Sequence, residues 1–477
     1  MADRLTSRLR SRVSSLLALV RSSTLARAAL VTGVLTILCK VIGFIKELVI
    51  ASQFGIGGTL DSYLVAVVLP NLTVNVFAQS FAAALVMRHV RDRTNSGDET
   101  ARQRFAASMF WGMVFVVAVS ATGVVLGQTL LPWLSPGFRP ELQASTQSLL
   151  WLLFPYSVLA GTGAIWSAIL NTRGRFFASG ASPGVISLAL IVAVTCWHIA
   201  DARVLVGGLT AGAIIDLMIL GYYLRREGLP LVPSVGRWQP EHGWIVAQTL
   251  PMIVGSTLHF CTVMVDQSMA STLGEGSVSE LNYGNRFVAM ILGLVALPMG
   301  RILFPHFVQL IEARKWEEVQ LTLRRSVLTL LAFSIPVTIL LAAFSVPIVT
   351  WTFQRGQFTS EMALRVAAVQ VMCALQIPFY LCSVLLARLA VALQMRRTMV
   401  GCGVINLSMN IALNYLLMKP LGVTGIALST ALVYLGASCY FSAAIRSALQ
   451  RKVREQREIG KASETESETI QTPRLVA

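Results

Sequence analysis

Charged side chains inside apolar blocks are the first candidates for chemistry in this sequence. One helix-length apolar stretch contains Lys40, Lys46 and Glu47, a second contains His259 and Asp266, and a third follows Asn285-Arg286. On a 3.6-residue helix Lys40, Gly43 and Glu47 share one stripe, with Lys46 about 100° from Glu47. Ionisable groups in such surroundings are costly and default to functional candidates. Lysine supplies a point charge and arginine a bidentate fork, so Lys40, Lys46 and Arg286 read as the cationic wall of a cavity that would attract an anionic headgroup such as a pyrophosphate. The competing reading is internal neutralisation: Lys46 or Lys40 with Glu47, and Arg286 with Asp266. Glu47, Asp61 and Asp266 are candidates for cation or proton coupling or for ion pairs. Asn75 and Gln79, one turn apart after Pro70-Asn71, are candidate substrate contacts. Gly43, Pro70 and Pro298 are candidate hinge or gating positions, because glycine and proline weaken a helix locally.

Other polar residues have blander readings. His259 is expected as a hydrogen-bonded packing residue, and Arg388 as a snorkelling or interfacial one. Asn406, Asn410 and Asn414 recur on one helical face, a pattern that commonly glues helices together. The seven cysteines lie within apolar blocks without metal-ligand spacing and read as small buried hydrophobes. No phosphate-cradling glycine loop, His-Glu-x-x-His or nucleophile elbow is present. The chain therefore reads as no enzyme and as needing no cofactor. Energy for any work would come from a Na+ or H+ gradient, the membrane potential, or substrate supply and removal.

The elements that must position these residues follow from composition. The 477 residues are 55% hydrophobic and 13% charged, with a mean hydropathy of +0.67; soluble domains are about one-quarter charged. About 20 apolar residues cross a bilayer as a helix, and the blocks here are too long and too unbroken for barrel strands. An all-α polytopic membrane protein with about twelve transmembrane helices is expected, with spans at 28–53, 62–87, 106–131, 147–170, 177–199, 204–224, 244–270, 281–310, 326–350, 364–391, 399–418 and 424–446. The net charge of +16 sits in short connections and tails. It reads as topology and contact with lipid headgroups, not as a nucleic-acid surface. Basic residues fall on alternate connections throughout, which places both termini in the cytoplasm.

The second half echoes the first. Ala51-Ser52-Gln53-Phe54-Gly55-Ile56-Gly57 recurs as Ala270-Ser271-Thr272-Leu273-Gly274-Glu275-Gly276, with Asp61 opposite Glu280 and Glu47 opposite Asp266. Trp133-Leu134-Ser135-Pro136-Gly137-Phe138 loosely matches Phe353-Gln354-Arg355-Gly356-Gln357-Phe358, and Phe154-Pro155-Tyr156 matches Ile377-Pro378-Phe379. A six-helix repeat enters the membrane in the same orientation twice, so two lobes related by a pseudo-two-fold axis along the membrane normal are expected. The domain reading is a basic N-terminal segment (1–27), an N-lobe (28–224), a linker (225–243), a C-lobe (244–446) and a disordered tail (447–477). Two lobes that rock about a shared chamber make a transporter.

Lys40-Val41-Ile42-Gly43-Phe44-Ile45-Lys46-Glu47, Leu69-Pro70-Asn71-Leu72, Asn282-Tyr283-Gly284-Asn285-Arg286 and Phe353 to Phe358 together resemble the MurJ/MviN family of lipid II flippases, a branch of the MOP superfamily that also holds polysaccharide flippases and MATE exporters. The resemblance runs through residues 28–446. It implies a MOP/MATE-like fold in the bacterial inner membrane. The implied substrate is a polyprenyl-diphosphate-linked glycan, with membrane lipids and glycan synthesis or polymerisation machinery as partners. The family's cavity cations fall on Lys40, Lys46 and Arg286. The first two are usually arginine there, and the acid at Glu47 is usually aspartate. Family arginines align with Val74 and Asn75, a family acid with Gln79, and typical members carry two further C-terminal spans. The alternatives are a flippase for an exopolysaccharide or O-antigen-type unit, a MATE-like cation-coupled drug exporter, and a non-transporting scaffold.

Overall fold

The computed structural model describes residues 24–197, 199–231 and 240–470; the side chains of some of these, His259 and Pro298 among them, lie outside that description. Among the described residues there are helices and no strands. The first half comprises α1 (Thr24–Phe54), α2 (Gly58–Ala66), α3 (Val68–Leu72), a π-helical turn (Thr73–Ala78), α4 (Gln79–Ser96), α5 (Asp98–Leu134), α6 (Pro140–Leu152), α7 (Phe154–Thr172), α8 (Phe176–Trp197) and α9 (Ala202–Arg226). The second comprises α10 (Pro240–Ser271), α11 (Ser277–Gly284), α12 (Arg286–Glu312), α13 (Trp316–Ala343), α14 (Ser345–Phe353), α15 (Ser360–Ala374), α16 (Gln376–Ala392), α17 (Arg396–Leu421) and α18 (Val423–Ile470).

Nine helices among the described residues are long and apolar enough to cross a bilayer, ten if α6 and α7 form one span bent by 44°. The helices Thr24–Phe54 and Arg286–Glu312, of 31 and 27 residues, stand outside that set. Both exceed the length a crossing requires, and both carry charged residues singled out above. The sequence reading counted them, which accounts for its twelve.

The breaks have local causes, and they recur. Pro70 has no N–H to bond the carbonyl of Ala66, and the helix breaks at Val67. Pro155 does the same to Trp151, and the helix breaks at Leu153. In the second half Pro378 frees the carbonyl of Ala374 next to the break at Leu375. There the Thr338 hydroxyl donates to that carbonyl at 3.4 Å, as a backbone group in hydrocarbon requires. Left-handed turns recur as well. Gly174 (φ 75°) joins α7 to α8, and Gln394 (φ 56°) joins α16 to α17. In each, the following N–H reaches back into the helix, Arg175 to Leu170 and Met395 to Ala390.

Contacts divide the chain into two compact units, Met1–Ser279 with Thr350–Ala363, and Glu280–Val349 with Leu364–Ala477. The first has a core of Phe81, Leu85, Phe105, Met109, Ile165 and Leu220, among others. The second is built on Phe307, Leu310, Val319, Leu385, Leu389 and Phe441. The helix at 240–271, which the sequence reading placed in the second lobe, packs on the first unit through Ile245, buried in the first core with Trp244 against it. The segment 447–470, expected to be disordered, continues α18 as helix; its Arg, Lys, Glu, Gln and Ala residues favour that state. Most of the 1–27 segment, and residues 232–239 of the linker, lie outside the described residues.

Candidate functional site

Helix α1 is continuous through all three of its charged residues. Lys46 Nζ lies 2.7 Å from Glu47 Oε1, with side-chain exposures of 22% and 8%. Lys40 is exposed about two turns away. Gly43, expected as a hinge, sits in unbroken helix, and a Cβ there would stand 3.9 Å from the Ser187 hydroxyl of α8. That is an ordinary packing distance, so the space beside Gly43 would admit a methyl group. The Lys46–Glu47 contact is the internal pairing that the sequence offered as the bland alternative, and Lys40 takes no part in it.

The second span is irregular where its polar residues lie. Val67 interrupts it, Pro70 is buried just beyond, and Thr73–Ala78 forms a π-helical turn. A π turn inserts a residue into the α register and is common at functional sites. Here it carries Asn75, which is exposed. The Asn75 amide donates to the Asn71 carbonyl at 3.0 Å, and the Gln79 amide donates to Asn75 Oδ1 at 3.1 Å. The result is an exposed ladder of amides down one face. The π turn left no mark in the sequence, since a single inserted residue does not disturb an apolar block.

Asp61 was expected to couple ions or form an ion pair; the structure gives it other work. It is fully buried, and its two oxygens accept the backbone N–H groups of Gly276, at 2.6 Å, and Ser279, at 2.7 Å. Those groups lie at the start of α11, on Gly276 just before it and on Ser279 in its first turn, where N–H groups have no intrahelical acceptor. A carboxylate there satisfies two of them and meets the positive end of the helix dipole. Asp61 lies in the first turn of α2, the repeat equivalent of α11. It therefore caps the copy of its own helix.

The same region gathers the repeated motifs. The Gln357 N–H donates to the Ser52 carbonyl at 2.8 Å. A Cβ on Gly356 (φ 57°) would fall 2.1 Å from that carbonyl oxygen, and one on Gly137 would fall 2.1 Å from the Ser271 carbonyl oxygen. The Ser268 hydroxyl donates to the Trp133 carbonyl at 2.6 Å. Arg139 and Glu275 make an exposed ion pair at 3.4 Å. Phe353 stacks obliquely on Phe358 and meets Phe44 edge-on. Four turns that the sequence showed only as two pairs of look-alikes thus interlock at one end of the first unit. We call this contact set the latch.

Asp266 is half-buried in α10, in the first unit. Arg286 begins α12 in the second unit and is half-buried. The residue before it, Asn285, accepts a hydrogen bond from the buried Gln376 amide at 3.0 Å, which ties the start of α12 to α16. Pro298 lies within α12, and its surroundings, like those of His259, lie outside the described side chains. Asn410 and Asn414 are buried, and Asn414 Oδ1 accepts from the Ser429 hydroxyl of α18; this is glue between α17 and α18. Arg388 is exposed. Among the described residues no cluster of His, Cys, Asp and Glu could hold a metal ion.

The profile of the family described as "Lipid II flippase MurJ" matches residues 50–465. A "Probable lipid II flippase MurJ" from Rhizobium meliloti is 27% identical over 412 residues, 83% of this chain and 76% of the relative. One from Synechocystis is 25% identical over 437 residues, 86% of this chain and 79% of the relative. Among solved structures, a lipid II flippase MurJ in an inward closed conformation superposes with a TM-score of 0.74 at 20% identity, covering 87% of each chain. An inward-facing multidrug resistance MATE transporter of the MOP superfamily superposes equally well, at 0.74, with 10% identity over 88% of this chain and 99% of its own. The fold is thus shared across chemically different transporters, and the sequence match separates them.

Proposed function

Because this chain belongs to the MurJ lipid II flippase family, we propose that it carries a polyprenyl-diphosphate-linked glycan, lipid II or a close relative, from the cytoplasmic to the outer face of the bacterial inner membrane. The observation that carries this reading is the presence of basic side chains on otherwise apolar spans, Lys40 and Lys46 on α1 and Arg286 at the head of α12, in a chain that the family profile matches along 50–465. A diphosphate needs such partners once it leaves water. A carrier of cationic drugs would place acids there instead.

In this proposal the two six-helix halves are lobes that rock about a chamber, and both termini are cytoplasmic. The latch closes the outer end. With it shut, the headgroup enters from the cytoplasmic side and is held by the cations, while the polyprenyl tail stays in lipid. Opening requires Asp61 to release the first turn of α11 and Gln357 to release Ser52. The amide ladder of Asn75 and Gln79 offers neutral hydrogen-bonding groups suited to sugar or peptide. The driving force is a Na+ or H+ gradient, the membrane potential, or removal of the product by glycan-polymerising enzymes; Glu47 and Asp266 are the candidate carboxylates for coupling.

The test is headgroup translocation in proteoliposomes. Arg286→Ala and Lys40→Ala are expected to slow it at least tenfold, and Arg286→Lys to retain part of it. Full activity in both alanine variants sinks the cationic-wall assignment. Complementation of a flippase-depleted strain distinguishes lipid II from a different lipid-linked glycan.

A further inference from the structure

The outer face of α9 carries a feature that translocation does not use. Ile214, Met218 and Tyr222 recur every four residues, are all exposed, and lead to Arg225 in the last turn. Beside them the wall recedes. Gly221 has no side chain; a Cβ there would meet the Trp166 ring at 3.2 Å and Leu231 at 3.4 Å. Leu159 and Trp166 of α7 form the opposite wall, and the whole encloses an open groove of about 460 Å³.

Three observations fix what fits it. From Ile214 to Arg225 the groove runs roughly 16 Å at 1.5 Å per residue, about half of a ~30 Å hydrocarbon core. It is one leaflet deep. Its lining is apolar except at one end, where Tyr222 and Arg225 stand together, the aromatic and basic pair of a membrane interface. Arg225 is exposed, and among the described residues no carboxylate pairs with it; nearby Glu227 is held by Arg175 at 2.5 Å. A guanidinium so placed matches a phosphate. A second cleft in the same unit, of about 230 Å³ and lined by Phe81, Trp111 and Thr249 among others, has no charged residue. It offers an acyl chain a place but a headgroup nothing.

We propose that the α9 groove is a binding site for an anionic phospholipid of the bilayer, with one acyl chain lying along Ile214, Met218 and Gly221 and its phosphate on Arg225. The lipid is a resident of the protein surface and not the transported substrate.

Native mass spectrometry of the detergent-solubilised, delipidated protein, titrated with phosphatidylglycerol and with phosphatidylcholine, tests this. The wild-type chain is expected to retain phosphatidylglycerol preferentially. Arg225→Gln should weaken phosphatidylglycerol binding about fivefold, the equivalent of ~1 kcal/mol for one basic residue at an anionic surface, with phosphatidylcholine unchanged. Met218→Trp fills the groove from its exposed side, without entering the core, and should reduce retention of both. Unchanged preference in Arg225→Gln, or full retention in Met218→Trp, overturns the site. Displacement of phosphatidylglycerol by an equal concentration of a polyprenyl phosphate would also overturn it, by giving the groove to the substrate's tail.

Discussion

Replacing Asp61 by alanine tests the latch directly. The carboxylate accepts two backbone N–H groups across the repeat boundary, at 2.6 and 2.7 Å, in full burial. Hydrogen bonds to a charged group contribute ~1.5–3 kcal/mol each, so the closed latch loses roughly 3–6 kcal/mol. That shifts the ratio of closed to open by roughly 10²–10⁴-fold. Asp61→Asn keeps one acceptor oxygen, loses the charge and should lie between. Spin labels at Arg139 and Glu275, both exposed, report the separation across the latch by double electron–electron resonance. The wild-type chain should give one short distance, and Asp61→Ala a second, longer population with slower or uncoupled translocation. A single short distance in Asp61→Ala, together with wild-type translocation, would refute the reasoning.

The remaining predictions use the same material. Gly356→Ala should open the latch without any change of charge, since its Cβ would fall 2.1 Å from the Ser52 carbonyl oxygen; the same labels read it, and an unaltered distance would deny that this turn is tightly seated. Lys46→Ala removes the 2.7 Å contact to the buried Glu47 carboxylate and should lower the melting temperature in detergent; the partly exposed lysine keeps the loss at or below ~3 kcal/mol. The double variant Lys46→Ala/Glu47→Ala completes a double-mutant cycle with the two single variants; a coupling of zero would mean the contact contributes nothing to the fold. Asn414→Leu removes the bond from Ser429 and should cost ~0.6 kcal/mol, the mean for such contacts in a membrane bundle; Ser429→Ala added to it should cost nothing further, as a thermal-unfolding double-mutant cycle can measure.

The fold was legible because a bilayer demands long apolar helices. Pro70 was legible as a weak point, and the helix breaks beside it at Val67; the breaks near Pro155 and Pro378 were not, because proline also sits inside unbroken helices, at Pro132, Pro183 and Pro336. What escaped was governed by context. Gly43 lies in a helix that is continuous from Thr24 to Phe54, with Ser187 of α8 near it. The helix at 240–271 belongs to the second half by repeat and to the first unit by contact, because Ile245 and Trp244 find their apolar partners among Phe105, Leu224 and Leu229. The π turn at Thr73–Ala78 changes register without changing composition. Of the candidate site, the Lys46–Glu47 pairing was among the readings the spacing allowed. The capping role of Asp61 was not, because its partners are backbone groups more than two hundred residues away.

A signal for that role was nevertheless present in the repeat. In a duplicated chain a loop near the symmetry axis meets its own copy, so its residues answer to two surfaces at once. Gly55-Ile56-Gly57 and Gly274-Glu275-Gly276 keep their glycines in register, and the structure shows why for one of them: Gly276 (φ 90°) lies against Ile56 and presents its N–H to Asp61. A side chain at Gly276 would press on Ile56, with a Cβ only 2.6 Å from Cγ2, and part the two copies. The similarity of the motifs and their mutual contact therefore have one physical origin. In proteins built from tandem repeats, turns that match their copies in glycine spacing and carry an acid in the following helical turn are the places to look for contact between the copies.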